Sequence, residues 1–405
     1  MKLKTAGDFH LTYCTNIHPG EEWQQVLANL KQYVPPLKLR LSPDEPFGIG
    51  LRLADIASRQ LLTKDNLVRF QSWLDREDLY VFTINGFPYG EFHERVVKDK
   101  VYAPDWSQTE RLDYTLRLLE ILAYLLPSGM DGGISTLPLS YKPWWQADSL
   151  AQKNLLEKSS LHLAMVTANA IAIRQKTGKV LHLDLEPEPD GLLENTTEVI
   201  EFFEEWLLPV GGAYLTKHLG ISQTAAESQL REHIRLCYDT CHFAVEYEKP
   251  ATVLTRLSAA GIKIGKIQLS AAIRVKLPSD RHARAKIAER LLPFAESTYL
   301  HQVIERHQDG RLSHYSDLIS ALPHLEQSSA AEWRTHFHVP IFIDDYSFLQ
   351  STQDDLLAVL NLLSDNPICQ HLEIETYTWE VLPPAIKTDL LTSIQQEYNW
   401  VLKAI

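Results

Sequence analysis

The sequence predicts a (β/α)8 TIM barrel, an α/β fold, on three observations. Short apolar runs alternate with helical patterns along all 405 residues, the mark of parallel βαβ units. No Gly-x-Gly-x-x-Gly or Gly-x-x-x-x-Gly-Lys-[Ser/Thr] string occurs, so the nucleotide-binding doubly wound sheets lose support. The later strands carry one charged face each. In Leu181-His182-Leu183-Asp184-Leu185-Glu186 the leucines face one side and His182, Asp184 and Glu186 the other. Lys266, Gln268 and Ser270 repeat that pattern, as do Glu373 and Glu375. Inward polar groups are costly unless paired, hydrated or metal-bound, so these faces predict a polar cavity.

Taken in order, strands are expected at 9–15, 47–53, 79–84, 132–137, 180–186, 234–239, 264–269, 337–343 and 372–376. Helical patterns fill 22–33, 64–76, 109–126, 149–175, 197–208, 251–260, 352–363 and 385–402. That makes one strand too many for an eight-stranded barrel. The surplus is placed before the last strand, where 299–303 and 336–342 are expected to pair as a hairpin over the barrel mouth. Pro340 disfavours a central strand there, which supports an insertion. The expected organisation is one TIM-barrel domain over 1–405 with an insertion at about 298–345.

Composition bounds the function. Apolar residues at 45% and nine Trp suit a large core, and a formal charge of −13 repels a polyanion. No nucleic-acid partner is expected. No apolar stretch approaches the roughly 18 residues of a membrane span, and the first residues lack a signal-like core. Four cysteines do not describe a disulfide framework. A soluble, cytoplasmic protein is the simplest expectation.

The chemistry concentrates at predicted strand ends. Leu236-Cys-Tyr-Asp239-Thr-Cys-His242-Phe243 sets a carboxylate and an imidazole three residues apart at the end of an apolar strand. Open sites for hard or borderline divalent metals on α/β barrels are built from O and N ligands at such ends. Two further strands end in carboxylates, at Glu186 and at Glu375. Glu188 competes with Glu186 and Glu373 with Glu375, since each pair shares a strand face. Pro187 and Pro189 favour Glu186 by bending the chain after it. His18 ends the first strand at the catalytic rim, where it would bind substrate or simply cap a loop. His336 and His338 share one face of the extra strand and could look into the mouth, as substrate-binding or packing groups. Phe87, Tyr89, Trp106, Trp144, Trp145 and Trp379 follow strand ends and are candidates for a pocket wall or for core.

Set side by side, the Asp239-x-x-His242 string and the Glu186 and Glu375 strand ends resemble the xylose isomerase-like barrel superfamily. That group includes sugar isomerases, ketose 3-epimerases and endonuclease IV. The resemblance implies Glu186, Asp239 and Glu375 as metal ligands, with Gln268 in Ile267-Gln-Leu-Ser270 standing where the family places a metal-binding His. A Gln carbonyl oxygen suits Mg²⁺ or Mn²⁺ better than zinc. The resemblance also implies substrate-binding roles for His242 and for Arg274, six residues after Gln268, and Glu375-Thr376 matches the family's Glu-Thr ending. Longer strings make the chain similar to the EboE family of metabolite-traffic proteins. They include Tyr13-Cys-Thr-Asn-Ile-His-Pro-Gly-Glu-Glu-Trp23, Val101-Tyr-Ala-Pro-Asp-Trp106 and Glu373-Ile-Glu-Thr-Tyr-Thr-Trp379. That resemblance implies work beside other pathway proteins in processing or exporting a secondary metabolite, with no reaction assigned.

From these residues, Glu186 and Glu375 are expected to act both as ligands and as the acid/base pair that moves a proton between adjacent carbons of a hydroxy-ketone, through an enediolate. The cofactor would be a divalent ion (Mg²⁺, Mn²⁺ or Zn²⁺). The leading reading is a metal-dependent isomerase or epimerase on a small polyoxygenated, sugar-like metabolite. A non-catalytic metabolite-binding and transfer barrel is the alternative, and an endonuclease IV-like nuclease ranks last.

Overall fold

A computed structural model describes residues 1–4, 7–90, 92, 96–345, 349–380, 382 and 387–405. Seven parallel strands come first: β1 (His10–Tyr13), β2 (Phe47–Arg52), β3 (Leu79–Asn85), β4 (Gly132–Thr136), β5 (Leu181–Leu185), β6 (Ile234–Asp239) and β7 (Ile264–Leu269). Five strands of a second sheet follow: β8 (Ile273–Lys276), β9 (Val303–His307), β10 (Leu312–Tyr315), β11 (Ala330–Thr335) and β12 (Gln350–Ser351). The last strand, β13 (His371–Ile374), returns to the barrel between β1 and β7. Eight strands thus run in the order β1-β13-β7-β6-β5-β4-β3-β2. Between β1 and β2 the ladder shrinks to one parallel bridge, Cys14 with Gly50. There the Thr12 hydroxyl substitutes for missing backbone bonds, donating to Gly48 O at 3.0 Å and accepting from Gly50 N at 2.7 Å. The barrel is nearly closed.

At least one helix follows each barrel strand, among them Trp23–Leu41, Thr109–Leu125, Ser149–Thr177, Gln353–Asp365 and Leu390–Ala404. Leu181, Leu183 and Leu185 of β5 are wholly buried, as the alternating pattern requires of side chains packed under helices. Burying each is worth at most about 3 kcal/mol relative to exposure. One helix outruns its expected end. Trp23–Leu41 continues through Pro35 and Pro36, because Val34 and Leu37 are buried and their packing offsets the backbone bonds that proline deletes. The first residues of the segment expected at 385–402 lie partly outside the described residues, and its helix covers Leu390–Ala404.

The extra strands differ from the expected hairpin. They span Ile273–Ser351 and form a five-stranded antiparallel sheet, order β10-β9-β11-β8-β12. Its central strand is Ala330–Thr335, and residues 336–340 form a loop across the barrel top. The apolar alternation of Phe337, Val339 and Ile341 is buried as expected. It packs without a ladder, however, with Val339 N bonded to Ala271 O and His336 N to Gln302 O. Arg334 ties the sheet to the barrel by donating to Ala244 O at 2.6 Å and pairing with Asp355. Among the described residues, no helix is long and apolar enough to cross a membrane.

Candidate metal centre

Parallel strands place their C-terminal ends on one face of a barrel, so residues at those ends meet whatever their separation in sequence. Glu186 follows β5, Asp239 ends β6, Gln268 lies near the end of β7 and Glu375 follows β13. Carboxylate oxygens of Glu186, Asp239 and Glu375 lie within 4.8 Å of one another, all buried. Protein donors hold one oxygen of each. Asp239 Oδ1 accepts from Ser270 Oγ at 2.6 Å and from the Cys241 and His242 amides at 2.8 and 3.1 Å, capping the short helix Thr240–Val245. Glu186 Oε1 accepts from Gln268 Nε2 at 2.8 Å. Glu375 Oε1 accepts from the Asn16 and Asn85 amides at 2.8 and 3.0 Å. Glu186 Oε2, Asp239 Oδ2 and Gln268 Oε1 are buried and, among the described residues, accept no hydrogen bond.

Such a cluster is costly without a compensating charge. Among the described residues no Lys or Arg forms an ion pair with Glu186, Asp239 or Glu375. Lys266 comes near but is committed, with Nζ at 2.6 Å from Glu373 Oε2 and 2.9 Å from Ser135 Oγ. That pair removes Glu373 from competition for the last ligand position. Burial and then the neighbouring Asp239 charge push the Glu186 carboxyl up to about 8. Burial, Glu186 and Asp239 together push Glu375 well above the carboxylate range. Buried oxygens that are unbonded, convergent and short of positive charge fit a divalent cation, which all-oxygen ligand sets hold well.

Three imidazoles stand beside these carboxylates. Nδ1 of His242 faces Pro187 O at 3.0 Å, Nδ1 of His338 faces Glu375 O at 2.7 Å, and Nδ1 of His336 faces Gln302 Oε1 at 2.8 Å. Each acceptor favours a proton on Nδ1 and turns Nε2 inward, where the Nε2 atoms of His242 and His338 face each other at 3.4 Å. His242 Nε2 lies 3.9 Å from Asp239 Oδ1, and His338 Nε2 lies 4.0 Å from Asp239 Oδ2. Burial, with help from the neighbouring imidazole, pushes His242 well below its ordinary pKa. His338 is lowered as well, also by burial first. Both therefore present neutral nitrogen acceptors.

Above the cluster a cavity opens between apolar and polar walls. Phe87, Tyr102, Tyr299 and Tyr377 form the aromatic side, and Asn85, Glu188 and Gln302 supply polar groups. Of the aromatics expected at the pocket wall, Phe87 is there. Tyr89, Trp106, Trp144, Trp145 and Trp379 are not among the lining residues. Trp106 is wholly buried, with its indole N–H on Thr136 Oγ1.

Of the four expected substrate-binding residues His242 lines the cavity, His338 is fully buried beside Asp239 and is not among the lining residues, and Arg274 and His18 stand elsewhere. Arg274 lies on β8 of the second sheet and makes a two-pronged ion pair with Asp354 at 2.7 and 2.8 Å, away from the cavity. The insertion after β7 redirected the chain, so six residues past Gln268 is no longer the barrel rim. His18 hydrogen-bonds Tyr13 OH through Nε2 at 2.9 Å and stacks on Tyr33, lining a separate small cavity with Asn29 and Arg52. The 3-10 turn Thr15–Ile17 aims Asn16, not His18, at Glu375. Asn16 and Asn85 escaped the sequence reading, and Ser270 was seen only as part of a wet strand face. Each sits at or just beyond the C-terminal end of a barrel strand, the one signal that could have found them.

Neither a family model nor a curated protein matches this chain. Solved structures similar to it include the IolI protein with a bound zinc atom, at 11% identity and a TM-score of 0.46 over 98% of this chain and 97% of that one. The probable 3-DHS dehydratase AsbF, of petrobactin synthesis in Bacillus anthracis, aligns over 96% of this chain and 97% of its own at 11% identity and a TM-score of 0.44. The 3-keto-D-glucoside 4-epimerase YcjR from E. coli covers 72% of this chain and 90% of its own at 14% identity and a TM-score of 0.37. At these identities and scores the likenesses carry no argument about activity, and the fold rests on the strand topology.

Proposed function

We propose that this protein is a metal-dependent isomerase or epimerase of a small polyoxygenated, sugar-like metabolite. The observation that carries the reading is the convergence of Glu186, Asp239 and Glu375 at the C-terminal barrel mouth, one oxygen of each fixed by protein donors, beneath a cavity with one aromatic and one polar wall. Glu186, Asp239, Gln268 and Glu375 would hold the cation, and their all-oxygen donor set favours Mg²⁺ or Mn²⁺ over zinc. When bound, the ion supplies positive charge to the carbonyl and hydroxyl oxygens of a hydroxy-ketone and so acidifies the neighbouring C–H.

The chain's own residues do the rest. Glu186 and Glu375 approach from different strands, so one takes the proton from carbon and the other returns it at the adjacent carbon or opposite face. His242, held neutral at the cavity wall, accepts a hydrogen bond from a substrate hydroxyl through Nε2, and the buried His338 behind it positions the ring at 3.4 Å. Phe87, Tyr102 and Tyr377 cover the C–H face of the metabolite and exclude water from the reacting carbon. The pathway setting, in which a cytoplasmic enzyme passes a secondary metabolite among other proteins, rests on the EboE-like sequence strings alone.

Two measurements test the reading. Protein purified without chelator should lose one equivalent of divalent ion per chain in Glu186→Gln or Asp239→Asn. Solvent deuterium should enter the carbon next to the carbonyl of hydroxy-ketones drawn from a ketose panel, and Glu375→Gln should abolish that exchange. Unchanged metal content in both ligand variants would end the site assignment. Metabolite binding without exchange would turn the protein into a carrier.

A further inference from the structure

We infer that a second divalent-cation site lies at the opposite, N-terminal end of the barrel, held by Asp131, His182 and His371. The inference goes beyond the proposed function and does not rest on it. Asp131 immediately precedes β4, His182 is the second residue of β5 and His371 the first of β13, so all three stand at strand beginnings. One ligand atom from each lies within 4.8 Å of the others. His182 Nε2 is 3.6 Å from Asp131 Oδ2, and His371 Nε2 is 3.2 Å from Asp131 Oδ1. Two ligand atoms bound at about 2.0–2.1 Å to one tetrahedral ion stand about 3.3–3.4 Å apart, so these gaps match ligands gathered on a common centre.

Hydrogen bonding points the same way. His182 Nδ1 faces Asp184 Oδ1 at 2.6 Å, with both side chains fully buried. That contact puts the proton on Nδ1 and leaves the Nε2 lone pair opposed to a carboxylate, two acceptors facing each other. A carboxylate behind an imidazole behind a metal is the arrangement that orients most histidine ligands. Among the described residues His182 Nε2 has no hydrogen-bond partner, and His371, only 2% exposed, reaches Asp131 Oδ1 at 3.2 Å through Nε2 without an aligned hydrogen bond and leaves Nδ1 unbonded. The surrounding strands are cut back to admit the dyad. A Cβ at Gly133 would sit 2.4 Å from His182 Cε1, and one at Gly265 would sit 1.9 Å from Asp184 Oδ1.

Charge leaves room for a cation. Among the described residues the guanidinium paired with Asp131 is that of Arg235, whose Nη1 bonds Oδ2 at 2.9 Å and which is shared with Glu232, while Oδ1 faces His371 Nε2 at 3.2 Å. Two imidazoles and a carboxylate select a borderline ion such as Zn²⁺ or Co²⁺. Asp131 is 31% exposed, so the ion site is open to solvent on the Asp131 side. Its role is structural: it ties β5 to β13 and to the segment entering β4 across the barrel floor, the end where side chains serve stability.

The test uses the full-length chain carrying Glu186→Gln, Asp239→Asn and His336→Gln, so that every candidate cluster at the mouth loses a ligand, stripped of metal and then titrated with Co²⁺ and Zn²⁺. The expected result is one Co²⁺ per chain, with the visible absorption of a tetrahedral N/O site, and a Zn²⁺-dependent rise in melting temperature of about 3 °C or more. Adding His371→Gln or Asp131→Asn should each abolish uptake and the thermal shift. No uptake in the mouth-disabled chain, or uptake that survives both floor variants, overturns the inference. Failure at the mouth reads out separately, as Mg²⁺ or Mn²⁺ content unchanged by Glu186→Gln in the otherwise native chain.

Discussion

Glu373 and Glu375 lie two residues apart on the strand that closes the barrel, face the same interior and are equally buried, yet they do opposite things. Glu373 meets Lys266 at 2.6 Å, with both side chains at 0% exposure. Glu375 accepts from the neutral amides of Asn16 and Asn85, with no Lys or Arg paired to it among the described residues, and shares its space with Glu186 and Asp239. The first is a closed charge pair in the middle of the barrel. The second is an open site, one layer higher, that hydrogen bonds orient without neutralising. The difference teaches how to read a polar barrel interior: a carboxylate with its own cation is architecture, and one held only by amides and hydroxyls is waiting for a ligand.

The comparison breaks most visibly at Lys266. Lys266→Met strands Glu373 without its cation, and denaturant unfolding should show a loss of about 3–5 kcal/mol. Adding Glu373→Gln should recover much of it, and no recovery would mean the pair is not the closed unit described. The opposite sign is expected at the mouth. Glu186 in metal-free protein is held up at about 8, against an ordinary glutamate value of 4.5 in the unfolded chain. The folded state therefore binds more protons between those values, and stability must fall as pH rises from about 4.5 to 8. Chelated protein should melt lower at pH 8 than at pH 5.5. Glu186→Gln should flatten that slope, whereas added Mg²⁺ or Mn²⁺ should restore the wild-type chain at pH 8. A slope of the reverse sign would show that the mouth carboxylates are not crowded.

Smaller effects sharpen the contrast. Asn85→Ala removes one of two donors that aim Glu375, and metal affinity measured by competition with a chelating dye should weaken about 10-fold or more. Fold stability should change far less than for Lys266→Met. Arg274→Ala should change least. Its partner Asp354 is 63% exposed, so the ion pair contributes at most about 1 kcal/mol, and metal content should be unaltered.

The regions also differ in how far residue order revealed them. Leu181 to Glu186 announces itself, because a period of two with leucines on one side admits only a strand with a dry face and a wet one. Asp239 and Glu186 were visible as carboxylates ending such strands. Glu373 and Glu375 could not be ranked locally, since the lysine that separates them comes from residue 266, more than a hundred positions earlier. Arg274 and His18 failed for a related reason. Counting forward from a strand end assumes the chain keeps its course, and here it turns into a second sheet in one case and a 3-10 turn in the other. Asn16 and Asn85 are single amides in unremarkable strings, given meaning only by the carboxylate they share.

By itself, then, the order of residues determined the alternation of strands and helices, the eight-strand barrel and the wet inner faces, because periodicity and hydrophobic burial act over a few neighbouring positions. Tertiary structure alone decided which acids are neutralised, which imidazole nitrogens point inward and where the inserted sheet sends its arginine. Those outcomes depend on distances between strands far apart in the chain, and electrostatic energy is set by such distances and by burial, neither of which a local pattern encodes.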